Sequence, residues 1–158
     1  MNASAPASTV VHASTVAIGG LAVLISGPPG CGKSDLALRL IDRGARLVAD
    51  DQTEVDLCAD GTLAARAPAT IAGNIEVRGL GLVSVPGAAA PEETFPVALA
   101  VSVETSTSAV ERLPEPETAE ILGAAVPVVA VFGFAASAAV VVETALAAVR
   151  GVRTWVHG

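Results

Sequence analysis

From residue 33 to residue 43 the apolar positions Leu36, Ala37, Leu40 and Ile41 recur three and four apart, while Asp35, Arg39, Asp42 and Arg43 take the other side. That spacing predicts an amphipathic helix. Gly44 follows where a left-handed cap suits a residue without Cβ, and Arg39 and Arg43 lie near the negative helix end. Upstream, residues 14–18 and 21–26 are short β-rich runs parted by Gly19 and Gly20, the pattern of a hairpin feeding a buried strand. Downstream, residues 45–49, 53–57, 62–66 and 75–77 read as short strands. Residues 97–103 and 128–132 are continuous apolar runs of the buried-strand kind, and the Ala-rich stretch 135–149 closes the chain as a helix. Between them, residues 104–120 carry Pro114, Pro116 and several acids with no apolar period, which predicts a surface loop. No internal repeat breaks the series, so one α/β layer domain is expected. Its limits are residues 12–150, after a flexible N-terminus of residues 1–11 and before a tail of residues 151–158.

Two uncharged stretches, 13–32 and 121–142, are long enough to cross a bilayer. The second is interrupted by Pro127, Gly133 and Ser137 and changes from β-branched to Ala-rich, which reads as strand, turn and helix. The first contains Gly19-Gly20 and a cluster of Gly and Pro from residue 27, so no membrane span is expected. Residues 1–11 hold no Lys or Arg ahead of an apolar run and do not read as a secretory leader.

Composition narrows the chemistry. Hydrophobic residues make up 52% of the chain but aromatics only 3%, so small side chains must fill the core. A formal charge of −7 leaves few cations for a polyanion and argues against nucleic acid as a partner. Cys31 and Cys58 have no metal-ligand spacing, and a domain large enough to pack a core needs no disulfide scaffold; a reducing cytoplasm fits. An acidic chain can still hold phosphates if a local nest of N–H groups, one lysine and a divalent cation offset its charge.

Such a nest is present. Gly27, Pro28, Pro29, Gly30, Cys31, Gly32, Lys33 and Ser34 match G-x-x-x-x-G-K-[ST], directly after a predicted strand and opening a predicted helix. Glycines let the backbone wrap a phosphate, the helix N-terminus adds partial positive charge, Lys33 reaches the β- and γ-phosphates, and Ser34 ligates Mg²⁺. Asp50 and Asp51 end the strand after that helix, where ligands sit in open α/β sheets. One of the two can hold Mg²⁺ while the other takes the proton of an attacking hydroxyl. His12 precedes the first strand of this reading, and a lone histidine is more often structural than catalytic; His157 carries less weight still. Glu76 and Arg78 fall on one side of a strand by alternation, ahead of Gly79-Leu80-Gly81, and a plain cross-strand ion pair fits them equally well.

His12, the Gly27 to Ser34 loop, Leu47-Val48-Ala49-Asp50-Asp51 and Ile75-Glu76-Val77-Arg78-Gly79-Leu80-Gly81 together resemble, in order and spacing, the catalytic domain of HPr kinase/phosphorylase, in its short proteobacterial form. The resemblance runs from about His12 to Arg150, and the segment from Glu76 to Gly81 carries it more specifically than the P-loop does. It implies a P-loop domain of the kind shared with phosphoenolpyruvate carboxykinase, a mixed β-sheet with a P-loop helix and a C-terminal helix, assembled into hexamers. It implies a kinase using ATP and Mg²⁺ on a serine of the carrier protein HPr. His12 would lie near the aspartates, with Asp51 as proton acceptor, Glu76 as a second Mg²⁺ ligand, and Arg112 in Glu111-Arg112-Leu113 as a catalytic arginine. The family's long form has an arginine-bearing Pro-Gly loop before the last helix, tied to the phosphorylase direction. Here that place reads Phe132-Gly133-Phe134-Ala135-Ala136-Ser137, a departure that weakens the case for the phosphorylase direction and leaves the kinase direction as the expectation. Two other readings accommodate the same P-loop: a kinase of small metabolites or nucleotides, and a sensor that binds ATP without turnover.

Overall fold

The structure is a computed structural model describing residues 7–151; His157 and most of the expected tail lie outside the described residues. The strands are β1 (Ser8–Val11), β2 (Ser14–Ile18), β3 (Leu21–Ser26), β4 (Arg46–Ala49), β5 (Thr53–Leu57), β6 (Leu63–Arg66), β7 (Asn74–Val77), β8 (Gly81–Ser84), β9 (Phe95–Glu104), β10 (Glu117–Ile121) and β11 (Ala124–Phe132). Helix α1 (Lys33–Asp42) follows β3 and helix α2 (Ala138–Val149) follows β11. Among the described residues, nine strands form one mixed sheet in the order β1-β5-β6-β9-β3-β2-β4, with β11 beside the C-terminal half of β9 and β10 beside β11. The neighbours β3, β9 and β11 run parallel, and the other pairs are antiparallel. Strands β7 and β8 make a separate hairpin.

Alternation along β3 decides what each face buries. Val23 and Ile25 join Leu36 and Leu40 of α1, Val101 and Val103 of β9, and Val142 and Leu146 of α2 in the main core. Ala22 and Leu24 enter a second cluster with Val48, Ala49, Ala65, Ala67 and Phe95, built largely of small side chains as the composition requires. Both helices therefore lie on one face. Their packing fixes α1 at the carboxyl end of β3, where the glycine-rich loop joins the two.

Several elements differ from the expectation, among them Gly81–Ser84, a strand where none was expected. Ser8–Val11, expected as part of a flexible start, is a strand on the edge of the sheet paired with β5. Its exposed and half-buried positions alternate over only four residues, too short a pattern to register as a strand. Glu117–Ile121, expected in a loop, is edge strand β10, whose Glu117 and Glu120 are the charged positions that keep an open edge from recruiting other chains. It meets β11 through Leu122 and Gly123, both at positive φ (50° and 82°), the backbone a two-residue hairpin requires. Strand β11 begins earlier than 128 because Pro127 sits before the β9 pairing starts, where β11 has a partner on one side only.

The uncharged stretches divide as their punctuation suggests: 13–32 becomes β2, β3 and the loop, and 121–142 becomes a hairpin, β11 and the start of α2. Among the described residues, no helix is long and apolar enough to cross a membrane.

Candidate active site

The loop after β3 is shaped by what its glycines allow. A Cβ on Gly27 would stand 2.7 Å from both the Cys31 sulfur and the Val103 carbonyl oxygen, so only glycine lets the chain turn that close to β9. Gly30 and Gly32 have φ of +76° and +99°, the left-handed region that glycine enters at little cost. Cys31 is buried beneath the loop. Helix α1 starts with no side-chain cap on its first turn, leaving backbone N–H groups and the positive end of the helix dipole open at this point. Lys33 is largely buried and donates from Nζ to the Gly27 carbonyl at 2.9 Å, which holds its ammonium over the loop. The arrangement is an anion cradle.

Asp50 and Asp51 are delivered beside it. Asp50 Oδ1 accepts from Ser34 Oγ and from Ser14 Oγ, each at 2.8 Å, and Oδ2 accepts from the Glu76 backbone N–H at 2.9 Å. The carboxylate thus ties together the loop, the start of β2 and the β7–β8 hairpin. Asp51 is held differently. Its backbone sits at φ 65°, sparsely populated for a residue with a side chain, and its N–H donates to Ser14 Oγ at 3.1 Å. That twist turns its carboxylate away from its neighbour's network toward His12, whose Nε2 is 3.2 Å from Asp51 Oδ1. His12 and Asp51 are 64% and 58% exposed, so both face the cleft and not the core.

One cleft of about 560 Å³ gathers His12, Pro29, Gly30, Gly32, Lys33, Ser34, Asp51, Glu76 and Arg78. Glu76 and Arg78 project from β7 and its turn while Ile75 between strand and α1 is fully buried, so the alternation read from sequence holds. Neither forms an ion pair among the described residues. Arg112 is not brought here: it is exposed on the segment after the 3-10 turn Thr107–Ala109 and lines a separate cavity of about 280 Å³ against β11 and α2. Among the described residues no three His, Cys, Asp or Glu side chains converge as a metal cage. Ser34 and Asp50, joined by a hydrogen bond, are instead a sparse oxygen pair of the kind that could serve an ion taking its remaining ligands from phosphate oxygens and water, as Mg²⁺ does.

Two contributors escaped sequence reasoning. Ser14 orients both aspartates from 36 and 37 residues away, and its position at the start of a strand buried on both faces carries no local signal. Phe134 also lines the cleft, from the turn after β11.

A family model described as the HPr serine kinase C-terminal domain matches residues 4–157. The HPr kinase/phosphorylase of Halalkalibacterium halodurans is 44% identical over 100 residues, covering 61% of this chain and 32% of its own. That of Bordetella pertussis is 46% identical over 78 residues, covering 49% of this chain and 25% of its own. This chain thus spans about a third or less of the length of such relatives. The solved HPr(Ser) kinase/phosphatase of Coxiella burnetii superposes with a TM-score of 0.78 at 27% identity, over 91% of this chain and 97% of that one.

Proposed function

This chain belongs to the HPr serine kinase C-terminal domain family, and from that premise we propose that it transfers the γ-phosphoryl group of ATP to a serine hydroxyl of the carrier protein HPr. The observation that carries the reading is the difference in setting between the Asp50 carboxylate, bound to Ser34, and the Asp51 carboxylate, which lies outside that network and faces the cleft. The loop of Gly27 to Ser34 holds the phosphate chain by backbone N–H groups, and Lys33 swings from the Gly27 carbonyl to the β- and γ-phosphates. When bound, Mg²⁺ would supply positive charge against that developing on the transferred group. Ser34 and Asp50 hold it, with Glu76 on the facing hairpin as a further carboxylate.

The serine oxygen forms a bond to the γ-phosphorus while the bond to the β–γ bridging oxygen breaks, and the hydroxyl proton passes to Asp51. His12 at 3.2 Å fixes that carboxylate's direction. Lys33 and Arg78 are the cations that line the cleft and stabilise charge on the transferred group. Arg112, implied by the resemblance, enters from its separate cavity or from another copy. The forward direction, a cytoplasmic setting and a hexameric assembly complete the reading.

Incubation with ATP, Mg²⁺ and purified HPr, followed by intact-mass measurement of HPr, tests it. A gain of one phosphoryl group, absent with Asp51→Asn, is expected. Consumption of ATP with unmodified HPr would point to a small-molecule acceptor, and ATP binding without consumption to a sensor.

A further inference from the structure

The turn between β11 and α2 is built onto the phosphate loop, yet none of its side chains has a part in the transfer just described. A Cβ on Gly133 would stand 2.4 Å from the Cys31 carbonyl oxygen and 2.6 Å from Val103 Cγ1, so the turn abuts the loop at a point only glycine can occupy. Arg39 of α1 donates to the Gly133 carbonyl and, at 3.0 Å, to the Ala135 carbonyl, while Asp35 holds its guanidinium from one helical turn back at 3.0 Å. These contacts bracket Phe134. Its ring packs over Gly32, where a Cβ would meet Phe134 Cε1 at 3.1 Å, and stands edge-on to Phe132 with centroids 6.0 Å apart. The residue nonetheless stays 58% exposed.

An exposed aromatic is conspicuous in a chain with 3 Phe and 1 Trp. Burial does not explain it, since more than half of the residue is exposed, and the clamp by Arg39 holds it in the cleft that also contains Lys33 and Ser34.

Topology says what the ring faces. The P-loop leaves β3, and two strand steps away on one side, through β2, lies β4 with Asp50 and Asp51 at its end. Two steps away on the other side, through β9, lies β11 with Phe134 just beyond it. At the usual strand spacing each is roughly 10 Å from the loop's strand, in opposite directions. The reacting end of a bound triphosphate belongs on the carboxylate side, so its nucleoside end points to the aromatic side. Pro29 and Leu38 are further apolar members of the cleft wall. A flat π-surface with one open face beside a phosphate cradle suits the face of a purine.

We propose that Phe134, clamped by Arg39, is the stacking platform for the nucleobase of the bound nucleotide. The inference rests on the P-loop reading above, and the test separates the two by comparing a ligand that has a base with one that has only the phosphates. Isothermal titration of wild type, Phe134→Ala and Phe134→Tyr with MgATP and with magnesium tripolyphosphate provides the comparison. Phe134→Ala is expected to weaken MgATP by roughly ten-fold or more and to leave tripolyphosphate within about two-fold, the difference that loss of base stacking predicts. Phe134→Tyr restores MgATP affinity. Phe134→Leu, which keeps an apolar contact on Gly32 but no aromatic face, is expected to lose MgATP affinity while keeping tripolyphosphate affinity, which decides the matter should Phe134→Ala disturb the fold. Equal weakening of both ligands would make the ring a prop for the loop and overturn the proposal, as would unchanged MgATP affinity. Wild type that binds neither ligand would remove the P-loop reading and this inference together.

Discussion

Asp50 and Asp51 are adjacent in the chain and opposite in circumstance. The first accepts from Ser14, Ser34 and the Glu76 backbone, which occupies most but not all of its acceptor capacity; among the described residues the second has His12 alone paired with its carboxylate. Asp51→Asn keeps the shape and, because Asn tolerates the left-handed backbone found at φ 65°, keeps the fold. It should lower kcat by roughly 10²–10⁴ with little change in KM for ATP, the signature of a lost proton acceptor. Asp50→Ala should act otherwise. It strands Ser14, Ser34 and the Glu76 N–H, so about 1–3 kcal/mol of stability goes along with Mg²⁺ dependence, measured by thermal melting and by Mg²⁺ titration of activity. For the two arginines, Arg78→Ala is expected to reduce the transfer rate by about 10² or more, as for removal of one group stabilising transition-state charge. Arg112→Ala, from a different cavity, should leave MgATP affinity unchanged by titration. The loop from Gly27 to Ser34 was legible because its chemistry is contiguous, eight residues between a strand and a helix. The Ser14 to Asp50 bond was not, because nothing local marks a hydroxyl that finds its partner 36 residues on.

Elements were legible in proportion to how much apolar surface they bury. Helix α1 carries a helical period and strands β2, β3, β4 and β9 carry runs of buried or apolar positions in the core, whereas β1, β8 and β10 are edges or an exposed hairpin and bury little. Strand β1 is therefore the informative case. It covers the outer edge of β5 by backbone pairing from Ser8↔Asp56 to Val11↔Thr53. A chain beginning at His12 should melt at lower temperature and self-associate more, read by light scattering, since its loss opens β5 as a free edge. Behind β1, Arg66 of β6 pairs across to Glu54 and, at 2.9 Å, to Asp56 on β5. The Arg66 guanidinium holds the Asp56 carboxyl below the usual carboxylate range, against the opposing effect of partial burial. A depressed folded value means that the unfolded chain binds more protons in the acid window. The contribution is complete above the unfolded value of about 3.9 and fades as pH falls through the lower, folded one. Arg66→Met should therefore flatten the acid limb of a melting-temperature profile below about pH 4 and change little at neutral pH beyond a constant offset.

At the scale of the whole molecule, the cleft is where five separated parts of the chain converge: the turn after β1 with His12, the loop after β3, the turn after β4, the β7–β8 hairpin and the turn after β11. A ligand lodged there binds the folded state alone, because the unfolded chain has no cleft, and so must raise stability by mass action. At a ligand concentration a hundred times its Kd the gain is about 2.7 kcal/mol, which for a chain of this size is a rise in melting temperature of roughly 5–11 °C. Charge decides which ligand produces that rise. The chain carries a formal −7, and Asp51 and Glu76 line the cleft with Asp50 directly behind Ser34. Free ATP brings more negative charge to those carboxylates than Lys33 and Arg78 offset. MgATP is therefore expected to give the full rise in a melting experiment, and the same ATP in EDTA a small fraction of it. Raising salt should narrow the gap between the two, because the repulsion acts partly through solvent and is screened within about 8 Å at physiological ionic strength. An equal rise with and without Mg²⁺ would mean that the phosphate chain does not lie against these carboxylates, and the partition of roles between Asp50 and Asp51 would have to be abandoned even if the P-loop itself binds nucleotide.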